Sequence, residues 1–195
     1  MRILTTLFMF AACIAQVKAQ SEPVEKLLEE RKEEVYAYND RAFEARREGI
    51  DLTETEPIPP GFSATYLYPS TMRAANFKGD TLLTELSIQL EEAIFIQAER
   101  HSKEDVDGVF KRLRPELEEE GFEVWMEMSG SQRLLLMTKQ DAEIIKHFVA
   151  VAMLDGNLII VDYNGEMTLQ QMMQLRNINP EDWMGAGGFG IFGGL

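Results

Sequence analysis

The chain is short of the residues that most enzymes use for chemistry. Among 195 residues there is one cysteine, Cys13, and there are only two histidines, His101 and His147. A lone thiol can form no internal disulfide and no multi-cysteine metal site, so stability must come from a hydrophobic core. Positive charge is also scarce: 19 Lys and Arg against 33 Asp and Glu leave a net charge of −14. Nucleic acid and anionic lipid surfaces are bound through basic stripes, which this balance does not supply. Long apolar runs are absent after the first twenty residues, so no transmembrane helix is expected in the mature chain. The hydrophobic (45%) and charged (27%) fractions are those of an ordinary globular protein and exclude wholesale disorder.

The first twenty residues carry an address. Arg2 precedes an apolar run from Ile3 to Ala15, and Val17-Lys18-Ala19 offers small or permissive residues where a signal peptidase reads. This pattern predicts a signal peptide over residues 1–19, cleavage after Ala19, and export to the periplasm or outside the cell. The mature chain then has 176 residues and a net charge of −16. Phe10-Ala11-Ala12-Cys13 loosely imitates a lipoprotein box, which makes a lipid anchor on Cys13 the alternative.

Residues 20–50 read as an amphipathic helix with Val24, Leu28, Val35, Tyr38, Ala42 and Ala45 at steps of three and four. Gly49 marks its stop. Residues 51–61 are a linker, because Pro57, Pro59 and Pro60 cannot continue a helix. Residues 62–175 form the compact domain, in the order strand, helix, helix, strand, helix, four strands, helix. That order predicts an α+β fold with a largely antiparallel sheet of about six strands and helices mainly on one face. Val106, Val109, Phe110, Leu113 and Leu117 define the apolar face of the long helix, which Pro115 should kink or restart and Gly121 should end. Asp155-Gly156 between two apolar runs predicts a hairpin. Thr168-Leu169-Gln170-Gln171 is a capping box. Residues 176–195 are a tail holding six of the 14 glycines.

The two-residue loop at Asp155-Gly156 fixes a register with Val151 opposite Ile160 and Ala152 opposite Ile159. One sheet face then carries Phe148, Ala150, Ala152, Leu154, Ile159, Val161 and Tyr163. The other carries Val149, Val151, Met153, Leu158 and Ile160, joined by Trp125 opposite Leu135 across the turn at Ser129 to Ser131. This second face is too apolar to meet water uncovered. The stripe of the N-terminal helix is the nearest cover. A swapped chain or a true partner is the alternative, which makes Val149, Val151, Met153, Leu158, Ile160, Trp125 and Leu135 a candidate partner surface.

Candidate catalytic and metal sites are not visible. His101 stands in a polar loop and His147 alternates with Lys146 in a strand; neither has a nucleophile motif beside it, and both read as surface or interface residues. Asp105 and Asp107 lie two apart on a helix and cannot face the same way. Met126 and Met128 could suggest cuprous ion, but they share a predicted strand face with Phe122 and Val124 and read as core fillers. No catalytic residue, cofactor or metal is expected.

Residues Thr65-Tyr66-Leu67-Tyr68-Pro69-Ser70-Thr71-Met72, Gly121-Phe122-Glu123-Val124-Trp125-Met126 and Leu158 to Leu169 carry a resemblance. Over residues 62–175 the chain resembles the secreted Bacteroidota family catalogued as domain of unknown function 4252. The resemblance implies an exported envelope protein with an α+β domain, and a link to envelope-stress sensing. It implies no catalytic motif and no site. The expectation is therefore a non-enzymatic exported protein that binds another protein or a small envelope component, with self-association open. The alternatives are a small hydrolase with a loop-assembled site and a lipid-anchored structural protein.

Overall fold

The computed structural model describes residues 20–59, 61–75, 79, 81–98, 103–130, 133–154 and 156–175. The expected leader, Cys13, His101, Asp155 and the glycine tail lie outside these residues. The chain opens with helix α1 (Glu22–Arg47) and a 3-10 turn (Leu52–Glu54). It continues through β1 (Phe62–Leu67), α2 (Pro69–Ala75), α3 (Thr81–Gln89), β2 (Leu90–Ala98) and α4 (Lys103–Glu119). The remaining elements are β3 (Glu123–Met128), β4 (Arg133–Asp141), β5 (Ile144–Leu154), β6 (Asn157–Thr168) and α5 (Leu169–Leu175). The strands form one antiparallel sheet in the order β1-β2-β6-β5-β4-β3, so the fold is α+β.

Both faces of the sheet are dry over its central strands. One packs Phe95, Leu136, Phe148, Ala150, Val161 and Tyr163 against Met72 of α2, Leu86 of α3 and Met172 of α5. The other packs Ile94, Ile96, Met137, Val149, Val151 and Ile160 against Val24, Leu27 and Leu28 of α1 and the apolar stripe of α4. The two long helices thus share one face and three short ones cover the other. Burial of each such Val, Leu or Ile contributes roughly 1.5–3 kcal/mol, so the central strands, apolar on both faces, hold most of the stability.

Local signals explain the boundaries. Gly121 takes φ +88°, and its N–H and that of Phe122 donate to the Glu118 and Leu117 carbonyls at 3.0 Å. This reversed turn closes α4 and drops Phe122 into the core. Helix α4 runs through Pro115 without a restart. The proline sits on the exposed side, and the carbonyl it leaves unbonded belongs to exposed Lys111, where water can serve. The capping box forms reciprocally: Thr168 N–H donates to Gln171 Oε1 (2.8 Å) and Gln171 N–H to Thr168 Oγ1 (3.1 Å). Gly165 is required by crowding, because a Cβ there would lie 2.6 Å from the Gln89 carbonyl oxygen and 2.8 Å from Leu90 Cα.

The β5–β6 register is the one expected, with Val151 opposite Ile160 and Ala152 opposite Ile159. The β3–β4 register is not. Leu135 faces Glu127, two residues from the expected Trp125, because the connection is longer and a bulge falls between Val124 and Met126. The bulge also reverses the strand's facing. Trp125 and Met126 lean on the cluster under the short helices, whereas Leu135 belongs to the opposite one. Met126, Met128, Phe122 and Val124 therefore do not share a face, and Met128 is exposed.

Candidate functional site

The candidate partner surface is interior. Val149, Val151, Leu158, Ile160 and Leu135 are buried beneath α1 and α4, Met153 packs at their margin, and Trp125 lies on the other face. The chain's own helices cover this surface, so these side chains are not offered to a partner. The N-terminal helix contributes less of the cover than expected. Val24, Leu27 and Leu28 join the cluster against the sheet, Tyr38 is buried further along the helix, and α4 supplies the rest.

At the start of α1 three polar side chains converge beneath that cover. Asp162 is 1% exposed, Ser21 1% and His147 8%. Asp162 Oδ2 accepts from both the Ser21 backbone N–H (2.8 Å) and the Ser21 hydroxyl (2.6 Å). Its Oδ1 accepts from His147 Nε2, 2.5 Å away. The strands explain the placement. His147 opposes Asn164 and Val149 opposes Asp162, so His147 and Asp162 are diagonal neighbours on one face of the β5–β6 pair. Ser21 precedes the first turn of α1 and makes no cap with its own side chain. The carboxylate of Asp162 takes that place, setting negative charge where the unbonded N–H groups and the helix dipole favour it.

A second layer surrounds this cluster. The Phe122 ring meets the His147 ring edge-on, with centroids 4.9 Å apart, and Lys139 Nζ lies 4.2 Å over Phe122. Glu120 pairs with Lys139 (3.4 Å) and accepts from the Glu22 N–H (2.8 Å). Two carboxylates from different elements therefore hold the first turn of α1. His147 was expected at a surface or interface. It is buried here between Asp162 and the Phe122 ring.

These residues contain the ingredients of a hydrolytic triad in an order that cannot work. The hydroxyl donates to the carboxylate rather than to the imidazole, so no base stands beside the nucleophile, and the hydroxyl is shut away from solvent. The arrangement is suited to fastening a helix. Hydrogen bonds to a charged group contribute about 1.5–3 kcal/mol each, which is substantial for one turn. The sequence held one signal of it: an aspartate inside the apolar run Leu158 to Tyr163, where both faces should be buried.

Beyond Leu28 the character of α1 changes. No later side chain of the helix enters either core cluster, although 19 residues remain to Arg47, about 28 Å of helix. The helix is tied to α4 through Glu30 and Arg112, and to its own linker by Arg41 and Glu56 (2.9 Å). The guanidinium of Arg112 holds the Glu30 carboxyl below its ordinary range. A groove of about 370 Å³ between α1 and α4 is lined by Leu27, Glu30, Arg31, Glu34, Val109 and Arg112; both arginines are paired with carboxylates. Exposed on this arm are Tyr36 (66%), Phe43 (64%), Ile50 (51%) and, on the linker, Ile58 (59%). Among the described residues, no group of three His, Cys, Asp or Glu could hold a metal, and no helix is long and apolar enough to cross a membrane.

Comparison with known proteins finds no matching family model, no matching curated protein and no matching solved structure.

Proposed function

We propose that the chain is an exported, non-enzymatic envelope protein that binds another protein or a small envelope component. The arm formed by the outer part of α1 and its linker is the binding element. The observation that carries this reading is the set of large apolar side chains on that arm, Tyr36, Phe43, Ile50 and Ile58, left in water by a chain that covers both faces of its central strands. Aromatic side chains on a charged helix are the usual anchors of protein contacts. Export rests on the residue 1–19 pattern, and a role in envelope-stress sensing rests on the family resemblance. The hydrolase alternative is disfavoured by the wrong order of Ser21, Asp162 and His147.

A photo-crosslinking residue at position 43, introduced in the producing cell, tests the reading. A discrete adduct is expected that is absent with the same probe at Lys26 and is lost when Tyr36 is changed to Ala. The same adduct pattern from positions 43 and 26 would remove the arm as the binding element.

A further inference from the structure

The two edges of the sheet are built differently. At one edge β3 carries a bulge at Trp125 and the charges of Glu123 and Glu127, features that hinder strand addition. At the other edge β1 (Phe62–Leu67, FSATYL) has no charge, no proline and no bulge, and pairs with β2 without a register shift. Among the described residues no other backbone group bonds to its outer side. A regular, uncharged open edge is a template for another strand. On a chain with net charge −14 an uncharged segment of this kind stands apart.

The residue order of β1 indicates which strand fits. Phe62, Ala64 and Tyr66 oppose Ala98, Ile96 and Ile94 and so lie on the α1 face; Ser63, Thr65 and Leu67 lie on the other. An antiparallel copy centred on Ala64 sets Phe62 opposite Tyr66 twice on one face and Ser63 opposite Thr65 twice on the other. Aromatic pairs and Ser–Thr pairs are among the favourable cross-strand combinations, and no charge meets a like charge. Lys32, the cation of α1 within electrostatic reach of Tyr66, is already paired with Glu29. We propose that β1 pairs with β1 of a second copy about a two-fold axis through Ala64, joining two six-stranded sheets into one. The contact is isologous and closed, so it ends at a dimer.

This inference stands apart from the arm's partner, because it uses none of the arm's exposed side chains. Sedimentation of the full mature chain should give twice the monomer mass, with tighter association as salt rises, since screening relieves the repulsion of two acidic copies. The double variant S63E/T65E places carboxylates opposite one another across the axis and should weaken the dimer about tenfold or more. The charge swap S63E/T65K changes the same two positions but sets opposite charges across the axis, and should restore association to within about threefold of the parent. A parent chain that stays monomeric into the millimolar range, or two variants that associate alike, would overturn the proposal. Amide exchange of the unmodified chain gives a second reading. The Phe62–Leu67 amides should slow as protein concentration rises, and exchange independent of concentration would equally overturn it. The position-43 adduct should persist in S63E/T65E, which separates failure of the dimer from failure of the arm.

Discussion

The two faces of the sheet reach the same dryness by different means. Under α2, α3 and α5 the contacts are mostly apolar; the buried Ser87 and Thr138 hydroxyls bond only to residues close in the chain, and the Tyr163 hydroxyl has no hydrogen-bond partner among the described residues. Under α1 and α4 the apolar cluster is supplemented by Ser21, Asp162 and His147, with Glu30 and Arg112 bridging the helices above. The difference follows from how each cover is attached. The short helices α3 and α5 are continuous with β2 and β6, so chain connectivity delivers them to the sheet. Helix α1 is separated from the sheet by a linker and has nothing local to hold its far end. Long-range polar contacts supply what connectivity does not.

The largest test of that contrast is Asp162→Ala. It leaves the His147 ring and the Ser21 hydroxyl and N–H without their acceptor, and should cost about 3–5 kcal/mol, the usual penalty for removing one partner of a buried polar pair. Denaturant unfolding measures the loss, and amide exchange should show α1 opening before α4. A loss under about 1 kcal/mol would mean that apolar contact alone seats the helix.

On the opposite face Tyr163→Phe should do the reverse. Burial pushes the phenol's pKa up, as expected of a hydroxyl without a partner, and the ring itself stacks on Phe148 with centroids 5.2 Å apart. Removing the oxygen keeps the stack and should stabilise by about 1 kcal/mol. A destabilised variant would reveal a bonded hydroxyl and blur the distinction between the faces.

The smallest effect concerns the bridge over the polar face. Arg112 depresses the Glu30 pKa, so the pair's contribution is full above the ordinary carboxylate range and is lost as pH falls through the lowered value. Glu30 is 45% exposed, so solvent screens the pair, and E30Q should cost only about 0.5 kcal/mol at neutral pH. The difference between parent and variant should vanish in strong acid. A gap that persists there would assign the effect to packing.

Where periodicity or a tight turn controls the structure, the sequence was legible. The α4 stripe, the Thr168 capping box and the β5–β6 register all depend on residues close together in the chain. The β3–β4 register was not legible, since a longer connection leaves pairing free to slide and a bulge at Trp125 absorbs the mismatch. The cluster around Asp162 was beyond reach for a different reason. An aspartate in an apolar strand announces that it needs partners, but nothing in its neighbourhood names Ser21. The facing of the α1 stripe was legible, with Tyr38 buried and Val35, Ala42 and Ala45 half-buried, but a continuous helical stripe does not say where along its length the sheet beneath it ends.

The Ser21–Asp162 bond spans 141 positions. A polypeptide is made from its N-terminus, so α1 is complete long before its acceptor on the last strand exists. Until β6 emerges, the first turn of α1 has neither the Asp162 carboxylate nor the Ile160 surface beneath it. Any factor that handles the nascent chain therefore meets α1 undocked, with Val24, Leu27 and Leu28 accessible. Closure of the polar face becomes a late event that reports completion of the whole sheet.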